Sequence, residues 1–224
     1  MKDQHLRSSF PDNPRFIAEE LCYGKNGPYS FSCLGGACLG VCGASGVGKT
    51  LLLRSLADLD RHDGRVLLDG RACSTYPGPE WRSLVALIPA ESRWWYPEFG
   101  HHLPPGCKAS EARKLLAACG FEDDVLGWQV SRLSTGEKQR LALVRALVRK
   151  PSVLLLDETG SGLDPENGLL LEKVVREYRL AHDAPVIWVS HDREQLARVS
   201  QQQLTLQQNR LDIAGPDRTG VSRS

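Results

Sequence analysis

Several groups of residues in this chain have the types and spacings that phosphate chemistry needs. Gly43-Ala44-Ser45-Gly46-Val47-Gly48-Lys49-Thr50 fits the pattern G-x-x-x-x-G-K-[ST]. An apolar run at 37–42 precedes it and Leu51-Leu52-Leu53-Arg54-Ser55-Leu56 follows it, so strand, glycine loop and helix stand in the required order. Glycines let the backbone curl until successive N–H groups converge on an anion. The helix behind them adds the positive end of its dipole. Lys49 supplies a point charge for the β- and γ-phosphates of a nucleotide, and the Thr50 hydroxyl suits Mg²⁺.

Asp157 and Glu158 end a continuous apolar run, Val153-Leu154-Leu155-Leu156. Ligands of open α/β sheets bind beyond the carboxyl ends of strands, where the glycine loop also sits. Asp157 is placed to hold Mg²⁺, directly or through water. Glu158 is placed to take a proton from, or to orient, a water that attacks the γ-phosphate. Alone, paired acids after a strand mark no more than a turn; the glycine loop gives them a partner. His191 follows the next apolar strand, 186–189, onto the same rim, where a neutral imidazole could bond the γ-phosphate and hold Glu158. Leu133-Ser134-Thr135-Gly136-Glu137 reads two ways that can both hold. Ser134 and Glu137 make a capping box. A capped helix start with a glycine is also a phosphate site. Since the chain has its own phosphate loop, this second one would serve a partner's nucleotide.

The elements that must position these residues follow from periodicity. Strands are expected at 16–23, 29–34, 37–42, 65–68, 84–88, 153–156 and 186–189, with a turn at 24–28. Helices are expected at about 49–59, 112–119, 135–149, from 165 with Asp164 as cap, and 193–199. A hairpin around Asn209 closes the domain. Residues 91–108 hold Trp94, Trp95, Tyr96 and Phe99 among prolines and histidines, which no regular strand or helix accommodates. The pattern predicts a helical insertion over 91–150, partly apart from the sheet. His101 and His102 are expected to be solvated. Residues 1–14 and 215–224 read as loose tails.

Composition narrows the function. The chain has 224 residues, 41% of them apolar, enough for a substantial core. A net charge of +1, from 28 basic and 27 acidic residues, gives no electrostatic reason to expect nucleic acid as a partner. No run is apolar enough to span a bilayer, and the N-terminus lacks the apolar core of a signal peptide, so a cytosolic protein is expected. The seven cysteines form no C-x-x-C pair and read as reduced, mostly core thiols.

Together these residues resemble the nucleotide-binding subunits of ATP-binding cassette (ABC) transporters, over about residues 15–210. Gly43 to Thr50 resembles the Walker A loop, Leu133 to Arg140 the signature motif, Leu154 to Glu158 Walker B, Ser161-Gly162-Leu163-Asp164 the D-loop, and His191 the switch histidine. Walker A marks a superfamily; with the signature ahead of Walker B it is specific to this family. The resemblance implies an α/β fold: a P-loop NTPase core with a parallel sheet (about 15–90 and 151–210), a small antiparallel β-subdomain and a short helical signature subdomain (about 91–150). It implies ATP and Mg²⁺ as cofactors. It also implies a homodimer, or a dimer with a related cassette, that sandwiches two ATP molecules, with Ser134 and Gly136 touching the other subunit's γ-phosphate and Asp164 crossing the interface. Tyr23 matches the aromatic that stacks on adenine, against the plainer reading of a core tyrosine. Integral membrane subunits would be the partners, and the cytoplasmic face of the inner or plasma membrane the location.

The chain departs from the family pattern in places. Ala90 stands where the family carries a glutamine that ligands Mg²⁺ and senses the membrane subunit; Glu91 is the nearest substitute. Thr135 replaces a usual glycine, Glu137 a glutamine, and Thr159-Gly160-Ser161-Gly162 lacks the usual proline and alanine. These changes point to a slow or loosely coupled ATPase, or a weakly active regulatory cassette. The aromatics after Ala90 stand where the family docks its membrane subunit; packing inside the insertion is the competing reading. Two other functions compete. A soluble ABC protein of repair or translation would carry tandem cassettes or a coiled-coil insertion, for which there is no room between Lys49 and Asp157. A small-molecule P-loop kinase would not need Ser134 and Gly136.

Overall fold

The computed structural model describes residues 13–207 and 210–214. The expected tails, residues 13 and 14 apart, and the hairpin tip at Asn209 lie outside these residues.

Strands β1 (Phe16–Tyr23) and β2 (Asn26–Cys33) form an antiparallel hairpin. Its turn is only Gly24-Lys25: Asn26, Gly27 and Pro28, expected in the turn, already belong to β2. β3 (Cys38–Gly43) runs into the glycine loop and then α1 (Lys49–Leu56), a turn shorter than its apolar run suggested. β4 (Asp63–Leu68) and β5 (Arg71–Ala72) follow. α2 (Gly78–Leu84) was not expected, because a run with prolines on both sides of Gly78 carries no apolar helical stripe. It ends directly in β6 (Val85–Ile88), so Leu84 is helical rather than the first residue of the strand.

Helices α3 (Ala109–Ala118) and α4 (Thr135–Leu147) come next, then β7 (Val153–Asp157), α5 (Pro165–Ala181), β8 (Val186–Val189), α6 (Arg193–Val199), β9 (Gln202–Gln207) and β10 (Arg210–Ala214). Every residue of β7 and β8 is buried, as parallel strands covered on both faces must be. The strands make two sheets. One is antiparallel, ordered β2-β1-β4-β5; the other is ordered β10-β9-β3-β8-β7-β6. In the second, β9, β3, β8, β7 and β6 are parallel and β10 is antiparallel to β9.

Alternation along β7 and β8 divides the core in two. Leu155, Ile187 and Val189 face α1 and the antiparallel sheet. Leu154, Leu156 and Trp188 face α3, α4 and α5. Leu141 and Val144 of α4 belong to that second cluster, so the helical insertion shares a core with the sheet. Its aromatic segment is split between the two readings. Phe99 is fully buried and Trp94 packs on the cluster, while Trp95 (63% exposed) and Tyr96 (49%) face solvent. The Arg145 guanidinium of α4 lies over both tryptophans, 4.3 Å from Trp94 and 5.0 Å from Trp95, and donates to the Arg93 carbonyl at 2.9 Å. His102 is not solvated: it is buried against Trp94 and Trp95, its Nε2 3.0 Å from the Tyr96 carbonyl oxygen.

A candidate nucleotide site at the carboxyl edge of the parallel sheet

The glycine loop leaves β3 and enters α1 with conformations only glycine takes without strain. Gly48 caps the helix at φ 104°, and a Cβ there would meet Asn26 Nδ2 at 2.7 Å. No side chain caps α1 and its first turn holds no acid, so its positive end is left uncompensated. Lys49 is buried and its Nζ donates to the carbonyls of Gly43 (2.9 Å) and Ala44 (3.1 Å). A buried ammonium without a carboxylate partner is costly unless an anion compensates it. This combination of buried cation and uncapped helix is what a phosphate needs.

β7 brings its acids to the same place. The Thr50 hydroxyl donates to Asp157 Oδ2 at 2.9 Å, and Asp157 Oδ1 is buried with no hydrogen-bond partner. Among the described residues no cluster of three or more His, Cys, Asp or Glu could hold a metal alone. One carboxylate and one hydroxyl beside a phosphate site instead match the way Mg²⁺ is bound, with the nucleotide completing its shell. The donor set and the orphaned Oδ1 therefore fit Mg²⁺.

Glu158 holds a left-handed backbone at φ 51°, uncommon for a residue with a side chain, of the kind that clusters at functional sites. His191 clasps its carboxylate: the His191 N–H donates to Oε2 at 3.2 Å and Nε2 lies 3.0 Å from Oε1. Lys49, Thr50, Asp157, Glu158 and His191 line one cavity of about 320 Å³ with Ser45, Gly46 and Gly48. Ser45, Gly46 and His191 also line a larger cleft of about 890 Å³. Thus the structure brings together Gly43, Ala44, Ser45, Gly46, Val47, Gly48, Lys49, Thr50, Asp157, Glu158 and His191. Neither Ala90 nor Glu91 lines either space.

Ser134, Gly136 and Asp164 gather elsewhere. The Ser134 hydroxyl accepts from the Glu137 N–H at 3.2 Å and donates to Glu137 Oε2 at 2.8 Å, completing the capping box. These bonds hold the Glu137 carboxyl below its ordinary pKa, the Ser134 hydroxyl contributing most. The Gln139 amide donates to the Ser161 carbonyl at 3.3 Å, and a Cβ on Gly136 would meet Leu163 Cδ2 at 2.7 Å. The start of α4 and the segment leading to Asp164 are thereby joined. Asp164 caps α5, accepting from Asn167 N at 3.0 Å.

At Tyr23 the structure favours the plainer reading of a core tyrosine. It is 3% exposed, packed on Tyr29 at 5.8 Å between ring centroids, so its ring offers no face to a base. Burial of this hydroxyl, which has no hydrogen-bond partner, pushes its pKa up. The larger cleft is walled instead by Lys25 of the shortened turn, Asn26 at the start of β2, Arg193 of α6, and Thr205, Leu206 and Gln207 of β9. Sequence reasoning missed these residues, and only their place in the fold reveals them.

The family model described as ABC transporter matches residues 27–161. The chain belongs to the ABC transporter family. Among this family's members, it is 36% identical over 171 residues to the aliphatic sulfonates import ATP-binding protein SsuB 2 of Frankia alni, covering 76% of this chain and 66% of that one. It is 35% identical over 192 residues to the spermidine/putrescine import ATP-binding protein PotA of Methylococcus capsulatus, covering 82% and 50%. The chain spans about half to two thirds of the length of the curated relatives it matches. A bacterial Atm1-family ABC exporter with ATP bound superimposes with a TM-score of 0.82 at 24% identity, covering 91% of this chain and 39% of the exporter, a likeness of fold. Among the described residues no helix is long and apolar enough to cross a membrane.

Proposed function

We propose that this chain is the ATP-binding and hydrolysing subunit of an ABC transporter, a peripheral protein at the cytoplasmic face of a membrane that works as a dimer beneath integral membrane subunits. Relatives named import ATP-binding proteins support this role. Their differing cargoes give no guide to what is moved here. One observation carries the reading: a buried lysine, an orphaned carboxylate oxygen and a clasped glutamate line one cavity at the glycine loop.

The triphosphate lies in the loop formed by Gly43, Ala44, Ser45, Gly46, Val47 and Gly48, where backbone N–H groups and the start of α1 receive its charge. Lys49 exchanges its carbonyl partners for the β- and γ-phosphates. Thr50 and Asp157 would hold Mg²⁺, which supplies charge neutralisation on the phosphates. Glu158 takes a proton from, or orients, the attacking water, and His191 holds that carboxylate while reaching for the γ-phosphate. Ser134 and Gly136 of a second copy close over the phosphate tail, and Asp164 crosses the same interface. Within one chain these three residues sit apart from the glycine loop, which supports a site divided between two copies.

Glu158→Gln should bind ATP without cleaving it, and gel filtration with ATP should then show a stable dimer. A chain that binds ATP and stays a monomer in this variant would overturn the divided site.

A further inference from the structure

Away from the nucleotide site, a slot of about 320 Å³ opens between α5 and α6. Its floor is apolar: Cys38 at the start of β3, Trp188, Val175 and Val199. Its walls carry four cations, Lys173, Arg176, Arg179 and Arg198, against one carboxylate, Glu172. That carboxylate is spent, since Arg198 grips both its oxygens at 2.9 and 3.2 Å. Arg179 is buried and bonded to the Gly36 carbonyl. Lys173 has only a long contact of 3.9 Å with Glu177. Arg176 has no hydrogen bond or ion pair among the described residues. An apolar floor beneath uncompensated positive charge selects for a ligand that is oily at one end and anionic at the other.

The slot's walls lead back to the chemistry. α5 begins one residue after Asp164, and α6 begins two residues after His191. The Trp188 indole N–H donates to the Thr159 carbonyl at 3.2 Å, next to Glu158. A molecule wedged between the helices therefore touches α5, which Asp164 caps, and Trp188 of β8, the strand that leads to His191. At 1.5 Å per residue, Arg198 lies about 8 Å along α6 from its first residue, Arg193.

We propose that this slot is an effector site for a small organic anion with an apolar body, an aromatic or branched aliphatic sulfonate, carboxylate or phosphonate. Its occupancy sets the spacing of α5 and α6. The effect on ATP turnover rests on the function proposed above; the binding does not, and it is read without ATP.

The test uses the full chain carrying Lys49→Ala, which disables the glycine loop as a competing anion site. Benzenesulfonate is titrated, with tryptophan emission and calorimetric heat followed together. Saturable binding is expected, about tenfold tighter than for benzyl alcohol, which lacks the charge, or for inorganic sulfate, which lacks the apolar body. Adding Lys173→Glu and Arg176→Glu, two exposed positions, should weaken it about tenfold or more. Trp188→Phe should abolish the emission change and keep the heat. Absence of saturation, an unchanged curve in the charge-reversed chain, or equal binding of sulfate and benzenesulfonate would each overturn the proposal. If binding holds but the chain never turns over ATP, the effector site stands and the ATPase reading falls.

Discussion

The glycine-loop end of this molecule and the signature end are both helix starts suited to phosphate, yet they stand in opposite states. At the glycine loop the helix is uncapped, Lys49 is buried on two carbonyls, and Asp157 keeps one oxygen without a partner. At the start of α4 the bonding is closed: Ser134 and Glu137 satisfy each other, and the carboxylate of Glu137 already holds the place an anion would take. The first is arranged ahead of its ligand. To take a phosphate from outside, as proposed above, the second would have to give up an internal acid. Preorganisation lowers the cost of binding at one end, and a resident charge raises it at the other.

The sharpest way to break this contrast is Lys49→Ala. If the glycine loop holds the triphosphate, ATP turnover should fall on the order of 100-fold or more, measured by phosphate release with folding checked by circular dichroism. Undiminished turnover would remove the basis of the comparison. Next in size is Tyr23→Ala. As a core residue Tyr23 should cost about 3 kcal/mol of unfolding free energy in urea, with little change in nucleotide affinity once folded. A stable variant with weakened ATP binding would restore the base-stacking role.

Smaller effects separate the two functions of the α4 start. Ser134→Ala loses the cap, at about 1 kcal/mol by thermal melting, and also the hydroxyl proposed to meet a second copy's phosphate. Glu137→Gln keeps the box geometry but removes the resident charge, so ATP-dependent dimerisation in a Glu158→Gln background should tighten. Unchanged dimerisation would mean that Glu137 is only a cap. The smallest effect is in pH. The bonds from Ser134 hold Glu137 below its ordinary pKa in the folded chain. Its contribution is thus fully present above the unfolded carboxylate range and disappears as pH falls through the lower folded value. Melting temperatures of the wild type and Glu137→Gln should accordingly converge on acidification.

What could be read from sequence was whatever depends on near neighbours. The glycine loop, the apolar strands 153–156 and 186–189, the Asp164 cap and the Ser134–Glu137 box are each specified within a few residues, and each occurs where the pattern placed it. What escaped depends on distant packing. Tyr23 is enclosed because β2 begins at Asn26 and sets Tyr29 against it. Lys25 and Gln207 share a cleft only because β9 pairs with β3. His102 looked solvated beside His101 and prolines, yet the fold of residues 94–102 turns it inward.

The guanidinium of Arg145 has a mechanical meaning. It rests on Trp94 and Trp95 from one end of α4, while Ser134 caps the other. Thirteen helical residues make a rod about 20 Å long. The exposed ring of Trp95 and the Ser134 cap thus bear on opposite ends of one rod.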